Sequence, residues 1–109
     1  MNEMEKVTSG FQLLMTETNG VGQAFMEAIK TLGEKSSLDA KVHELAYISV
    51  LTATKNFDGL PFHMQQAKKL GATKEEMISA VLLPMPLVGI QVAEALPHVE
   101  KLYEESSLA

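Results

Sequence analysis

Apolar residues along this chain recur at spacings of three and four rather than two, a pattern that predicts helices and no strand series. A first helix is expected from about Glu3 to Met15, with Val7, Phe11, Leu14 and Met15 on one face. Asn19-Gly20 and Gly22 interrupt it, and a second helix is expected from about Val21 to Leu32. Phe25, Ala28, Ile29 and Leu32 form its apolar stripe, with Gly33 as its stop. Ser36-Ser37-Leu38-Asp39 then offers the side-chain acceptors that cap a helix start. From Ala40 to about Thr54 the chain is nearly all apolar, with Val42, Leu45, Ala46, Ile48, Val50, Leu51 and Ala53. A helix apolar on most sides belongs at the centre of a bundle or at a subunit interface. Lys41, His43 and Glu44 are the polar exceptions near its start.

Asn56-Phe57-Asp58-Gly59 reads as a turn, and Pro61 suits the first turn of the helix that follows. That helix is expected to reach about Leu70, with Gly71 as its left-handed end. Thr73-Lys74-Glu75-Glu76 is a capping box opening a helix with Met77, Ile78, Val81 and Leu82 on its apolar face. Pro84-Met85-Pro86 breaks it. A last helix places Val88, Val92, Leu96, Val99 and Tyr103 on one side, with Pro97 as a kink or break. The expectation is one all-α domain, residues 1–109, folded as a bundle of five or six helices. The seven Met residues, Met15, Met26, Met64, Met77 and Met85 among them, suit core gaps, and Met85 and Leu87 are also candidates for a pocket wall.

Composition narrows the function classes. Nine Lys stand against 14 Asp plus Glu, net −5, and there is no Arg, which argues against nucleic-acid binding. With no Cys, disulfides, thiol redox chemistry, thiolate metal sites and cysteine nucleophiles are all excluded. Met1 to Thr8 lacks the apolar stretch of a signal peptide, and the longest apolar run, Ala80 to Ile90, contains two prolines. No membrane span is expected, and the expected compartment is the cytoplasm. A chain this short buries roughly 65% of its unfolded surface, so self-association would add to a thin core.

Leu38-Asp39-Ala40-Lys41-Val42-His43-Glu44-Leu45 resembles the opening of the central helix of the carboxymuconolactone decarboxylase family, which includes the alkyl hydroperoxidase D-like proteins. The run from His63 through Ala67, Gly71-Ala72-Thr73 and Glu75-Glu76 is similar to that family's second signature. Together they cover residues 38–83. The resemblance implies an all-α, alkyl hydroperoxidase D-like fold, trimers or hexamers of the chain, no cofactor, and a small lactone carboxylate as substrate. In the peroxidase branch a Cys-x-x-Cys pair precedes the His, and a Glu on the preceding helix completes a proton relay. Glu44 matches that Glu and His63 that His, while Asn56 and Gly59 stand at the cysteine positions. Thiol peroxidase and disulfide chemistry are thereby excluded. A carboxy-lyase, or a non-catalytic oligomeric member of the family, is left.

His63 shares a helix face with Leu60, Ala67 and Leu70, and imidazole is the side chain suited to proton transfer near neutral pH. Glu44 shares a face with Tyr47 and Leu51, and a carboxylate on an apolar surface needs a partner. The resemblance supplies His63 as that partner. Structural readings stand beside these: His63 as a buried His satisfying a carbonyl, Glu44 as a helix N-terminal charge. Tyr47 is a candidate substrate contact, or a buried ring with its hydroxyl at the rim. His98, four residues after Glu94, reads as half of an exposed helical pair. His43, Glu44, His63 and His98 lack metal-ligand spacing, so no metal is expected. Lys41 and Lys55, at opposite ends of the central helix, are the nearby cations, and the sequence places neither in a pocket.

Overall fold

The computed structural model describes residues 7–108, with side chains described as far as Glu104. Its helices are α1 (Ser9–Thr16), α2 (Val21–Lys35), α3 (Ala40–Ala53), α4 (Leu60–Lys69), α5 (Lys74–Leu82), α6 (Met85–Val88) and α7 (Leu96–Leu108). Six of these have eight residues or more, α6 is a single turn, and 3-10 turns occupy Phe57–Gly59 and Ile90–Ala95. Every regular element among the described residues is helical, as the apolar spacing predicts.

Local chemistry sets the boundaries. The Thr8 hydroxyl accepts the Phe11 amide at 3.1 Å, so α1 begins at Ser9, later than the expected Glu3; residues 1–6 lie outside the described span. Asn19 and Gly20, at φ of 51° and 95°, turn the chain into α2. Gly33 does not stop α2. Glycine permits the left-handed conformation without requiring it, and the helix continues to Lys35 before extended Ser36 ends it. Asp39 caps α3 by accepting the Val42 amide at 3.0 Å. Gly71, at φ 96°, ends α4, and the Thr73–Glu76 capping box is formed in both directions. Pro84 and Pro86 end α5 at Leu82, yet the Pro84 carbonyl accepts the Leu87 and Val88 amides and α6 forms. Pro97 does not kink a helix: it is the second residue of α7, where its missing N–H leaves nothing unsatisfied. Val88 and Val92 therefore precede the last helix and lie in α6 and the second 3-10 turn.

The core lies among α3, α4, α5 and α7, where Ile48, Leu60, Met64, Met77, Val81 and Val99 are buried. Thr52, the buried polar residue, donates its hydroxyl between the Ser49 and Val81 carbonyls. Tyr103 donates to the Ala72 carbonyl at 2.6 Å and ties α7 to the α4–α5 corner, and burial pushes its phenol above the ordinary range. Met64 and Met77 fill the core as expected, whereas Leu87 is 85% exposed. Helices α1 and α2 pack on each other and, among the described residues, make no substantial contact with α3–α7. They form an arm. Among the described residues no helix is long and apolar enough to cross a membrane.

Candidate active site

The α3–α4 contact brings two of the sequence candidates into a direct pair. Asp39 fixes the start of α3, which sets Glu44 in its second turn on the side facing α4. The Phe57–Gly59 turn and Pro61 start α4, whose first turns carry His63 back toward α3. His63 Nδ1 lies 2.8 Å from Glu44 Oε2, with side-chain exposures of 29% and 18%. The carboxylate is therefore the more covered partner, and the imidazole is accessible from solvent. A carboxylate that accepts the Nδ1–H fixes the ring orientation and leaves Nε2 to take up or deliver a proton.

Aromatic edges surround the pair. Tyr47 meets the His63 ring edge-on with centroids 5.3 Å apart, and Phe62 does so from the other neighbour at 5.3 Å. His43 stacks at a tilt on Tyr47, 4.6 Å between centroids. The structure thus gathers His63, Glu44 and Tyr47, the three sequence candidates. Phe62 is not among the sequence candidates, and His43, weighed there only as a metal ligand, instead meets Tyr47 at the i, i+4 spacing of one helix face. His98 does not join them, and its expected pairing with Glu94 fails because Glu94 lies in the 3-10 turn before α7. The His98 ring faces Phe57 at 6.5 Å instead.

Lys41 is held on the α5 side of α3 by Glu76, 3.1 Å away. The Thr73 backbone amide, and then Lys41, hold the Glu76 carboxyl below the usual carboxylate range. Lys55 sits beyond the end of α3 at φ 60°. Neither lysine is among the groups that pack against the Glu44–His63 pair. Asn56 precedes the first 3-10 turn and Gly59 is its last residue, and a Cβ added at Gly59 would meet Leu51 Cδ2 at 3.0 Å.

No curated protein and no solved structure gives a significant match to this chain. The model of the Carboxymuconolactone decarboxylase family matches residues 20–100, from the start of α2 into α7, well beyond the 38–83 span of the sequence resemblance. With its all-helical, alkyl hydroperoxidase D-like fold and no cysteine, the chain belongs to the carboxymuconolactone decarboxylase family.

Proposed function

We propose that this protein is a cofactor-free carboxy-lyase in which Glu44 and His63 act as one acid–base pair on a small carboxylate or lactone. The observation that supports the reading is the 2.8 Å contact between His63 Nδ1 and Glu44 Oε2, with the imidazole still reachable from solvent. In the step envisaged, the C–C bond to the substrate carboxylate breaks and carbon dioxide leaves. Its electron pair passes into the conjugated lactone carbonyl, and the Nε2–H of imidazolium His63 protonates the resulting carbon. Water then restores the His63 proton. Glu44 holds the ring and balances its charge, and the Tyr47 and Phe62 edges favour a flat substrate.

A second reading rests on what the site does not assemble. A polycarboxylate is usually clamped by bidentate guanidinium groups, and this chain has no Arg, while Lys41 is engaged by Glu76. A non-catalytic oligomeric member that kept the fold accounts for that equally. In either case the proposed assembly is a trimer or hexamer of the chain, supported by the exposed apolar residues of the arm. Carbon dioxide release from 4-carboxymuconolactone, comparing the parent with His63→Ala, separates the readings. Release lost in a folded variant supports the lyase. Release unaffected by the substitution keeps the lyase and removes His63 from its mechanism, and no release from either protein favours the binding role.

A further inference from the structure

Helix α2 carries Val21, Phe25, Ala28 and Leu32 at spacings of four, three and four, the seam spacing of two packed helices. No described residue covers that seam: Val21 is 62%, Phe25 54% and Leu32 57% exposed. Glu27, Lys30 and Glu34 fall on the opposite face, and Lys35 stands at the C-terminal end beside the stripe. Elsewhere on the molecule, α3 and α5 border an open groove of about 440 Å³ walled by Val42, Leu45, Ala46, Ala80 and Leu83. The two helices run in the same direction, since Lys41 meets Glu76, Ser49 meets Ala80 and Thr52 meets Val81. Their N-terminal ends are the acidic end of the groove, with Glu75 and Glu76.

We propose that the α2 stripe of one copy seats in the α3–α5 groove of a second copy, antiparallel to both walls. The stripe spans about 16 Å, against about 10 Å of α3 wall and about 12 Å from Glu75 to Leu83 at 1.5 Å per residue, so about one turn of α2 extends past the groove. Charge sets the direction. Antiparallel seating brings Lys35 and the negative end of α2 to Glu75 and the positive ends of α3 and α5. Every copy carries one stripe and one groove, so the contact is between unlike surfaces and repeats from copy to copy, closing a ring where the rotation between copies allows it. Stripe-to-stripe pairing in a two-fold dimer would leave both grooves open. The Glu44–His63 pair lies on the α4 side of α3, so this contact does not depend on catalysis.

The absence of cysteine makes the test direct, because introduced thiols have no background. Ala28→Cys and Ala46→Cys are prepared as separate proteins and oxidised mildly at a concentration where the parent is assembled. Covalent dimers are expected when the two are mixed and from neither alone. The double variant is expected to give a ladder of covalent oligomers ending at the mass found by sedimentation. Dimers from Ala28→Cys alone would show stripe-to-stripe pairing and overturn the proposal. So would a double variant that gives only an internally linked monomer, which would mean that each arm folds onto its own groove. An assembled parent whose mixed variants do not cross-link overturns this contact while leaving self-association intact; a monomeric parent overturns both. As a second measurement, Phe25→Asp is expected to sediment as a monomer with its helical circular dichroism retained, and an unchanged mass would contradict the proposal.

Discussion

Helices α2 and α3 are neighbours in the chain, both rich in apolar residues, and their fates differ. On α3, Ile48 is fully buried and the hydroxyls of Ser49 and Thr52 reach α5 carbonyls. On α2, Gly22 is the only buried residue, and α1 is the only helix packed substantially against it. The difference shows that apolar periodicity marks a face that must be covered without saying which atoms cover it. For α3 the side-chain contacts come from residues 19 to 35 positions further along the chain. For α2 no described residue supplies it, and the contact proposed above assigns that cover to a second copy.

The sharpest way to break this contrast is to cut into each region in turn. Ile48→Ala, which empties a fully buried site, is expected to cost about 3 kcal/mol in urea unfolding, while Leu13→Ala on the arm should cost under about 0.5 kcal/mol. Comparable losses would mean that arm and core are one cooperative unit. Next in size is Gly22→Ala. Its Cβ would stand within 3 Å of the Leu14 carbonyl carbon and closer still to its oxygen, so the α1–α2 crossing must widen at a cost of roughly 1–3 kcal/mol. Hydrogen exchange should quicken in α1 and α2 and stay unchanged in α3–α5. Tyr103→Phe removes the hydrogen bond to Ala72 and is expected to lower core stability by about 1 kcal/mol.

The smallest effect is a pH dependence. The folded state lowers the Glu76 pKa, so its contribution is present above the unfolded carboxylate value and disappears as pH falls through the lower folded value. The stability gap between the parent and Glu76→Gln should therefore shrink toward zero in acid. A gap that stays constant across the carboxylate range would show that the Thr73 and Lys41 contacts do not act through the charge.

What could be read from the sequence tracks how local each signal is. Asp39, Gly71 and the Thr73–Glu76 box act on amides within a few residues, and all three took the roles their spacing implies. The spacing gives Gly33 as a stop and Pro97 as a kink or break; Gly33 lies inside α2, and Pro97 kinks nothing but stands just after the break between the second 3-10 turn and α7. Each tolerates more than one backbone role, and the neighbouring elements chose. The face of His63 was legible from helical spacing, but its meeting with Glu44, 19 residues away, was implied only by the family resemblance. The groove had no sequence signature. It lies along α3 and α5, and no periodicity along one helix encodes the surface shared by two.

The central claim is that Glu44 and His63 work as one unit, and a double-mutant cycle on turnover of 4-carboxymuconolactone tests it most directly. Glu44→Gln and His63→Ala are each expected to lower kcat by about 10²- to 10⁴-fold, and the double variant to fall no further than the worse single. Losses that multiply in the double variant, or activity that survives either change, would contradict the paired mechanism.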